Sequence, residues 1–323
     1  MRIAVYSGYG NADVVRICDA PEPVPNEDEA LISVRAASIE APDWRLMHGK
    51  PAIVRLFFGM RKPKFRPGRN VSGEVVAVGS RVTGFKHGDA VLGMCPGAFA
   101  EYVCARESRL VKKPETLTYE EAAALPISAL TALQGLRDYG KVRPGQRVLI
   151  NGSSGGVGTF AVQIAKNLGA TVTGVCSTGN VELARSLGAD RVIDYTQQDF
   201  TQTEDRYDVI YDLVGDRPLA QLGAILTADG RYVAAGAPKN VTLFGLLARL
   251  VAMTVRSRLG SRKYVSFIAR SNQGDLGFLA GLAGEGKLKP AIDRCYTLDE
   301  TAAALGYVDQ GHARAKVVIV ING

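Results

Sequence analysis

Val148-Leu149-Ile150-Asn151-Gly152-Ser153-Ser154-Gly155-Gly156-Val157-Gly158 is the stretch whose reading decides the fold. Three apolar residues run into a turn rich in glycine and serine. The turn opens onto Phe160, Val162, Ile164 and Ala165 at helical spacing. A strand that turns straight into a helix aims the helix's first N–H groups, and the positive end of its dipole, at one spot. A pyrophosphate suits that spot. Gly155 and Gly156 lack Cβ, so a phosphate can reach their backbone, and Gly158 is expected to let the helix pack closely on the sheet. Ser153 stands where the strict G-x-G-x-x-G pattern has its first glycine. The motif alone is therefore weak, and its placement between strand and helix carries the reading.

Working outward, residues 147–151, 171–175, 191–195, 208–213 and 231–235 read as short strands, and 156–168 and 181–187 as helices. This βαβ alternation predicts a parallel, doubly wound α/β sheet. Upstream, residues 120–136 are Ala- and Leu-rich with helical spacing, broken at Pro126. Residues 1 to about 115 instead give many short strands punctuated by Gly and Pro, such as 30–39, 73–79 and 100–105. That pattern predicts a small antiparallel barrel. After Gly236 the regularity lapses until helices at 276–284 and 300–308 and a final apolar strand at 316–321. A strand so far from the sheet is expected to rejoin the N-terminal domain. The expected domains are 1–118 with 265–323, and 119–264.

Composition narrows the class. With 46% hydrophobic and 22% charged residues the chain is ordinary globular protein rather than a disordered one. No basic leader with an apolar run precedes the first strand, so a secretory signal is not expected. Cys18, Cys95, Cys104, Cys176 and Cys295 are scattered, odd in number and without a C-x-x-C pair, which predicts a reduced, cytoplasmic setting. The net charge is +7, with basic groups at Arg61, Lys62, Lys64, Arg66 and Arg69 and again at Arg249, Arg256, Arg258, Arg262 and Lys263. A solvated surface favouring anionic ligands accounts for them, and no nucleic acid is expected because no binding motif accompanies the charge. Residues 241–260 are apolar and basic. Interrupted by Arg249, they fall short of the roughly 20 residues of a membrane span, and read as a lid, a subunit contact or an interfacial amphipathic helix.

The end of the second strand decides the cofactor. NAD-selective sites place an acid there for the ribose 2′-hydroxyl. This chain has Val175-Cys176-Ser177-Thr178-Gly179-Asn180, hydroxyl and amide groups that suit a 2′-phosphate, which predicts NADPH over NADH.

The run 151–165 (NGSSGGVGTFAVQIA), with 176–180 and Asp194-Tyr195, closely resembles the medium-chain dehydrogenase/reductase superfamily. The segments GAFAEY (97–102), ALTALQG (129–135), VRPG (142–145) and GHARAK (311–316) extend the resemblance over nearly the whole chain, toward the zeta-crystallin-like quinone oxidoreductase branch. That resemblance implies a GroES-like, partly open β-barrel domain built from both chain ends. It also implies a Rossmann domain between those ends, an active site in the cleft, and a homodimer. It carries the cofactor contacts onto Ser154, Gly155, Gly156 and Val157 at the pyrophosphate and onto Ser177, Asn180 and Tyr195 at the adenosine end. Thr131 and Gly236 fall at the nicotinamide side, and His312 and Arg314 in the returning C-terminal segment.

The zinc branch of the superfamily uses a Cys and a His in C-x-x-D and G-H-E motifs. Here the matching places hold Glu40-Ala41-Pro42-Asp43 and Gly68-Arg69-Asn70, and Arg69 is no zinc ligand. His48, His87 and His312 share no ligand spacing, so no metal is expected. Relatives usually carry Arg or Lys where Gly179 stands, and Asn where Glu40 stands. Glu40 reads either as an acid that orients substrate or donates a proton, or as an inert solvated substitution. With Asp43 and Trp44 it completes the barrel-side catalytic candidates.

The expected reaction is hydride transfer from NADPH to a quinone or an α,β-unsaturated carbonyl, because without zinc the substrate must already be electrophilic. Two other readings stay open at this level: an NADPH-binding sensor or adaptor with little catalysis, and a carrier-dependent enoyl reductase.

Overall fold

The computed structural model describes residues 1–49, 54–236, 242–311 and 313–321. In chain order it begins with β1 (Arg2–Tyr6), β2 (Val15–Asp19) and β3 (Glu29–Ser38), then helices α1 (Ala41–His48) and α2 (Val54–Phe58). Strands β4 (Asn70–Val78), β5 (Ala90–Met94), β6 (Tyr102–Arg106) and β7 (Leu110–Lys112) follow, then α3 (Tyr119–Ala124) and α4 (Pro126–Gln134). Next come β8 (Arg147–Asn151), α5 (Gly156–Asn167), β9 (Thr171–Cys176), α6 (Val181–Ser186), β10 (Arg191–Asp194), β11 (Tyr207–Asp212), α7 (Leu219–Ala224) and β12 (Leu226–Ala234). The chain closes with α8 (Leu243–Leu259), β13 (Lys263–Ser266), α9 (Gln273–Gly284), β14 (Ile292–Thr297), α10 (Thr301–Gln310) and β15 (Lys316–Val320).

Two compact units result: Met1–Ser128 with Ser271–Gly323, and Ala129–Arg270. In the first, a sheet runs in the order β14-β15-β3-β4-β5-β7, with β6 also on β3. All its pairings are antiparallel except β14 on β15. Register shifts leave Val76 of β4 unopposed beside Leu31 and Ile32, and Arg35 of β3 unopposed between Val34 and Ala36; such bulges bend strands around a barrel. The closing strand does rejoin this unit: Val318, Ile319 and Val320 pair with Ser38, Ala37 and Ala36. Ile32, Val34, Val75, Phe99 and Val103 form the core with Leu305, Val317 and Ile319, so both chain ends share one apolar interior.

The second unit holds a parallel sheet in the order β10-β9-β8-β11-β12-β13. Strands β8 and β9 are buried along nearly their whole length, as parallel strands covered on both faces must be. Strand order reverses between β8 and β11, the place where doubly wound sheets open a crevice beyond their carboxyl ends. The second unit is a Rossmann arrangement and the first a GroES-like barrel, the α/β class expected.

The unit limits differ from the expected domains. Helix α3 packs against β3, β4 and β15, so the first unit runs past 118. The four-residue edge strand β13 pairs with β12, so the second unit runs past 264. Pro126 interrupts the helical run as expected. It stands at the first position of α4, where its missing N–H leaves nothing unsatisfied.

Candidate functional site

At the end of β8 the chain leaves the sheet through Gly152, whose φ of +88° favours a residue without Cβ. The N–H groups of Gly152 and Ser153 both donate to the Val175 carbonyl, at 3.1 and 3.0 Å, and the Ser153 hydroxyl adds a third bond at 3.1 Å. Ser153 can replace the expected glycine because Gly174 in β9 makes room: a Cβ on Gly174 would lie 2.9 Å from the Ser153 Oγ. Helix α5 then starts with Gly155 as N-cap, which offers no side chain to the first N–H groups. Those donors are left for a ligand.

Two glycines of the turn have different reasons. A Cβ on Gly158 would stand 2.0 Å from the Gly152 carbonyl oxygen and 2.8 Å from Ser153. Gly158 is therefore required by the turn's own backbone, and not by helix–sheet packing as expected. A Cβ on Gly155 would meet nothing closer than Gly152 O at 3.5 Å. The protein itself has room there, which leaves open space for an approaching phosphate.

Beneath the turn lies a group that the sequence reading missed. Asp212, fully buried at the end of β11, accepts from Asn151 Nδ2 (2.9 Å) and from the N–H groups of Val214 (3.1 Å) and Gly215 (2.9 Å) through Oδ1. Its Oδ2 accepts from the Tyr232 hydroxyl at 2.7 Å, to which Arg249 donates at 2.8 Å. One carboxylate thus ties together the ends of β8, β11 and β12 at the reversal of strand order. An acid closing the apolar run 207–212 was its signal in the sequence.

Ser177 and Asn180 follow β9, and Asn180 Nδ2 donates to Ser177 Oγ at 3.0 Å. Among the described residues Asn180 Oδ1 is buried without a partner, an acceptor waiting for a donor. The Thr178 and Thr196 hydroxyls hold the Asp194 carboxyl below its usual range. Tyr195, after β10, is 52% exposed, so it is no packing residue and its ring is open to a ligand. Ser154, Gly155, Gly156, Val157, Ser177, Asn180 and Tyr195 therefore gather at the carboxyl ends of the three neighbouring strands β8, β9 and β10. Gly236 follows β12. Its Cβ would fall 1.9 Å from the Leu213 carbonyl oxygen, so a close backbone pass fixes it as glycine. Thr131 in α4 receives the Tyr211 hydroxyl on its carbonyl at 2.9 Å. Together these residues fit a dinucleotide: free helix-start donors, a Cβ-free approach and polar groups at the strand ends.

Arg314 belongs to the first unit, where it is exposed and its N–H donates to Asp293 Oδ2 at 2.8 Å. His312 lies outside the described residues.

The three barrel candidates sit at the start of α1. Glu40 is 6% exposed and forms an ion pair with Lys316, itself 2% exposed. The Lys316 ammonium also donates to the Ile39 carbonyl (3.0 Å) and to Ser128 Oγ (3.2 Å), using all three of its protons. Asn70 Nδ2 donates to Glu40 Oε1 (2.6 Å) and to Ser38 Oγ (3.0 Å), and the Ser38 hydroxyl passes on to the Ala123 carbonyl at 2.8 Å. Ser128 Oγ completes the set on Glu40, at 3.1 and 3.2 Å from its two oxygens. Glu40 is thus buried and paired, and the solvated alternative does not hold. Lys316 was missed, although a lysine opening the apolar run 316–321 was the visible sign.

Asp43 caps the same helix: its Oδ2 accepts from the Glu40 N–H at 2.8 Å and its Oδ1 from the Gly68 N–H at 3.3 Å. Burial pushes its carboxyl up to about 6, opposed by these N–H groups and by Arg69, whose Nε is 3.9 Å away. Trp44 is half-buried against the barrel core, edge-on to His48 and beneath the Arg45 guanidinium. His87 occupies an exposed turn, as expected. For a catalytic zinc the donor set does not fit. Arg69 fills one ligand position, Glu40 is consumed by Lys316, and no metal-holding group of three His, Cys, Asp or Glu occurs among the described residues.

Residues 26–115 match the family described as alcohol dehydrogenase GroES-like domain, and residues 187–319 the one described as zinc-binding dehydrogenase. The chain is 32% identical to the chloroplastic quinone-oxidoreductase QR1 of Triphysaria versicolor, over 99% of this chain and 98% of that protein. It is 32% identical to the chloroplastic NADPH-dependent alkenal/one oxidoreductase of Arabidopsis thaliana, over 99% of this chain and 79% of that protein. Among solved structures it resembles the quinone oxidoreductase from Coxiella burnetii, with a TM-score of 0.87, 30% identity and full coverage of both chains.

Proposed function

We infer the reaction from kinship: this chain belongs to the medium-chain dehydrogenase/reductase superfamily, in its quinone oxidoreductase branch. It is an NADPH-dependent reductase of quinones or α,β-unsaturated carbonyls. The observation that carries this is the turn 151–158, with open donors at the start of α5 and room at Gly155, in a chain akin to proteins named for quinone and alkenal/one reduction. Bound NADPH supplies a hydride to an electrophilic substrate.

The chain's own residues bind and orient. Ser154, Gly155, Gly156 and Val157 receive the pyrophosphate on backbone N–H groups, and Ser177, Asn180 and Tyr195 hold the adenosine end. Thr131 and Gly236 are the proposed nicotinamide-side contacts, with Arg314 and His312 as further candidates. In the barrel, Glu40 and Asp43 fix the backbone that enters α1, and Trp44 presents a flat apolar wall to a planar substrate. With Arg69 and the Glu40–Lys316 pair in the place of zinc ligands, the substrate's own carbonyl conjugation must supply the electrophilicity that a Lewis acid otherwise provides.

No described helix is long and apolar enough to cross a membrane. Five free cysteines support a reducing, cytoplasmic setting, which localisation of a tagged copy tests. A homodimer is proposed from the outer edge of β13, which no strand pairs among the described residues, and light scattering tests it. The function itself is tested by NADPH oxidation against quinones, 2-alkenals and enones, with and without a metal chelator. Turnover indifferent to the chelator is expected, and no turnover with any acceptor would reject the assignment.

A further inference from the structure

Helix α8 wears its apolar side outward. Met253 is its fully buried residue, packed into the core with Tyr232 and Tyr264, and Arg249 anchors it to the Tyr232 hydroxyl and the Arg217 carbonyl. That anchoring turns Phe244, Leu247, Val251, Val255 and Leu259 to solvent, with Phe244 81% and Leu259 83% exposed. Spacings of three, four and seven residues put them in one stripe. Arg258 continues the line of Phe244 and Val251. Just beyond the helix, a cavity of about 470 Å³ is lined by Arg256, Leu259, Arg262 and Tyr264 and by no carboxylate. Between Asp229 and Asp275 the chain has eight lysines and arginines and no acid at all.

We propose that α8 is a membrane-surface helix. Its apolar stripe enters the interface of an anionic bilayer, and the exposed Arg256, Arg258 and Lys263 meet the lipid phosphates. The charge selects this occupant. A second copy docking by the same face would bring the same acid-free segment, with no carboxylate to meet the arginines. A soluble polyanion would meet the arginines but leave Phe244, Leu247, Val251 and Leu259 in water. An anionic bilayer satisfies both halves of the surface.

Co-sedimentation of the full chain tests the proposal. The vesicles are phosphatidylcholine alone or in equal parts with phosphatidylglycerol. The protein is expected to pellet with the anionic vesicles and not with the neutral ones, and less as salt rises. Arg256→Gln with Arg258→Gln should weaken binding by roughly five-fold per arginine. Phe244→Ser with Val251→Ser should also lower it, while both pairs keep the parent's quinone turnover and far-UV dichroism. Failure to pellet with the anionic vesicles overturns the proposal. So does binding lost with the arginines but indifferent to Phe244 and Val251, which assigns the face to a soluble polyanion. A lipid-free dimer that Phe244→Ser with Val251→Ser converts to monomer likewise assigns it to a second copy.

Discussion

Lys316→Met removes the cation from the buried network at the start of α1 and keeps most of its side-chain volume. In the parent, the ammonium gives its three protons to the Ile39 carbonyl, Glu40 and Ser128, and neither Lys316 nor Glu40 has appreciable access to water. After the substitution Glu40 keeps the Asn70 and Ser128 donors but loses its countercharge, and the Ile39 carbonyl loses a donor. Removing one partner of a buried pair costs about 3–5 kcal/mol. For a chain of this size that is roughly 4–7 °C in melting temperature. Much of the cost is the stranded carboxylate, so Glu40→Gln with Lys316→Met should recover about 2 kcal/mol relative to Lys316→Met alone. Trp44, the only tryptophan and four residues from Glu40, reports the unfolding of this unit by fluorescence in urea. A Lys316→Met protein as stable as the parent, or a double variant no more stable than Lys316→Met, would refute the reasoning.

Three further outcomes are expected. Burial raises the Asp43 carboxyl in the fold to about 6, so its contribution to stability is complete below about pH 4 and is lost as pH rises through 6. Asp43→Asn should flatten the change in urea midpoint between acid and neutral pH, and an unchanged profile would contradict this origin. Gly179→Arg, on the exposed turn after β9, should raise the preference for NADPH over NADH about ten-fold by a charge-assisted bond to the 2′-phosphate. Competitive binding of the two cofactors reads it, and an unmoved ratio would place the 2′-phosphate elsewhere. Gly158→Ala puts a Cβ 2.0 Å from the Gly152 carbonyl oxygen and should cost about 1–3 kcal/mol in thermal or urea unfolding, whereas Gly155→Ala, with 3.5 Å of room, should be nearly neutral. Equal effects would mean that the two glycines share one role.

The parallel sheet was legible because each buried strand announced itself as an unbroken apolar run between glycines and helices. The short edge strand β13 was not, since four residues carry no periodicity and the apolar, basic run before it ends in no strand signal. The return of β15 could be foreseen from its distance in sequence from the sheet. Its partner β3 could not, because register is set by packing across the barrel. At the site, the glycine turn gave away its place but not its reasons. Only the folded turn separates Gly158, held by backbone contact, from Gly155, which faces open space. Glu40 was visible as an unusual acid, while Lys316, 276 residues away, had to be brought beside it by the fold before their pairing had meaning. Asp212 was hidden for the same reason: the groups it binds come from separate strands.

The central claim is that the turn 151–158 receives the pyrophosphate of NADPH. Fluorescence titration of NADPH and NADH into the parent and into Gly155→Asp tests it most directly: a Cβ there meets nothing closer than the Gly152 carbonyl oxygen at 3.5 Å, and an aspartate at this N-cap takes the helix-start N–H groups and repels a phosphate. The parent should bind NADPH more tightly than NADH, and Gly155→Asp should lose both while staying at least as stable as the parent in urea. Equal NADPH affinity in the two proteins, or tighter NADH binding by the parent, would contradict the account.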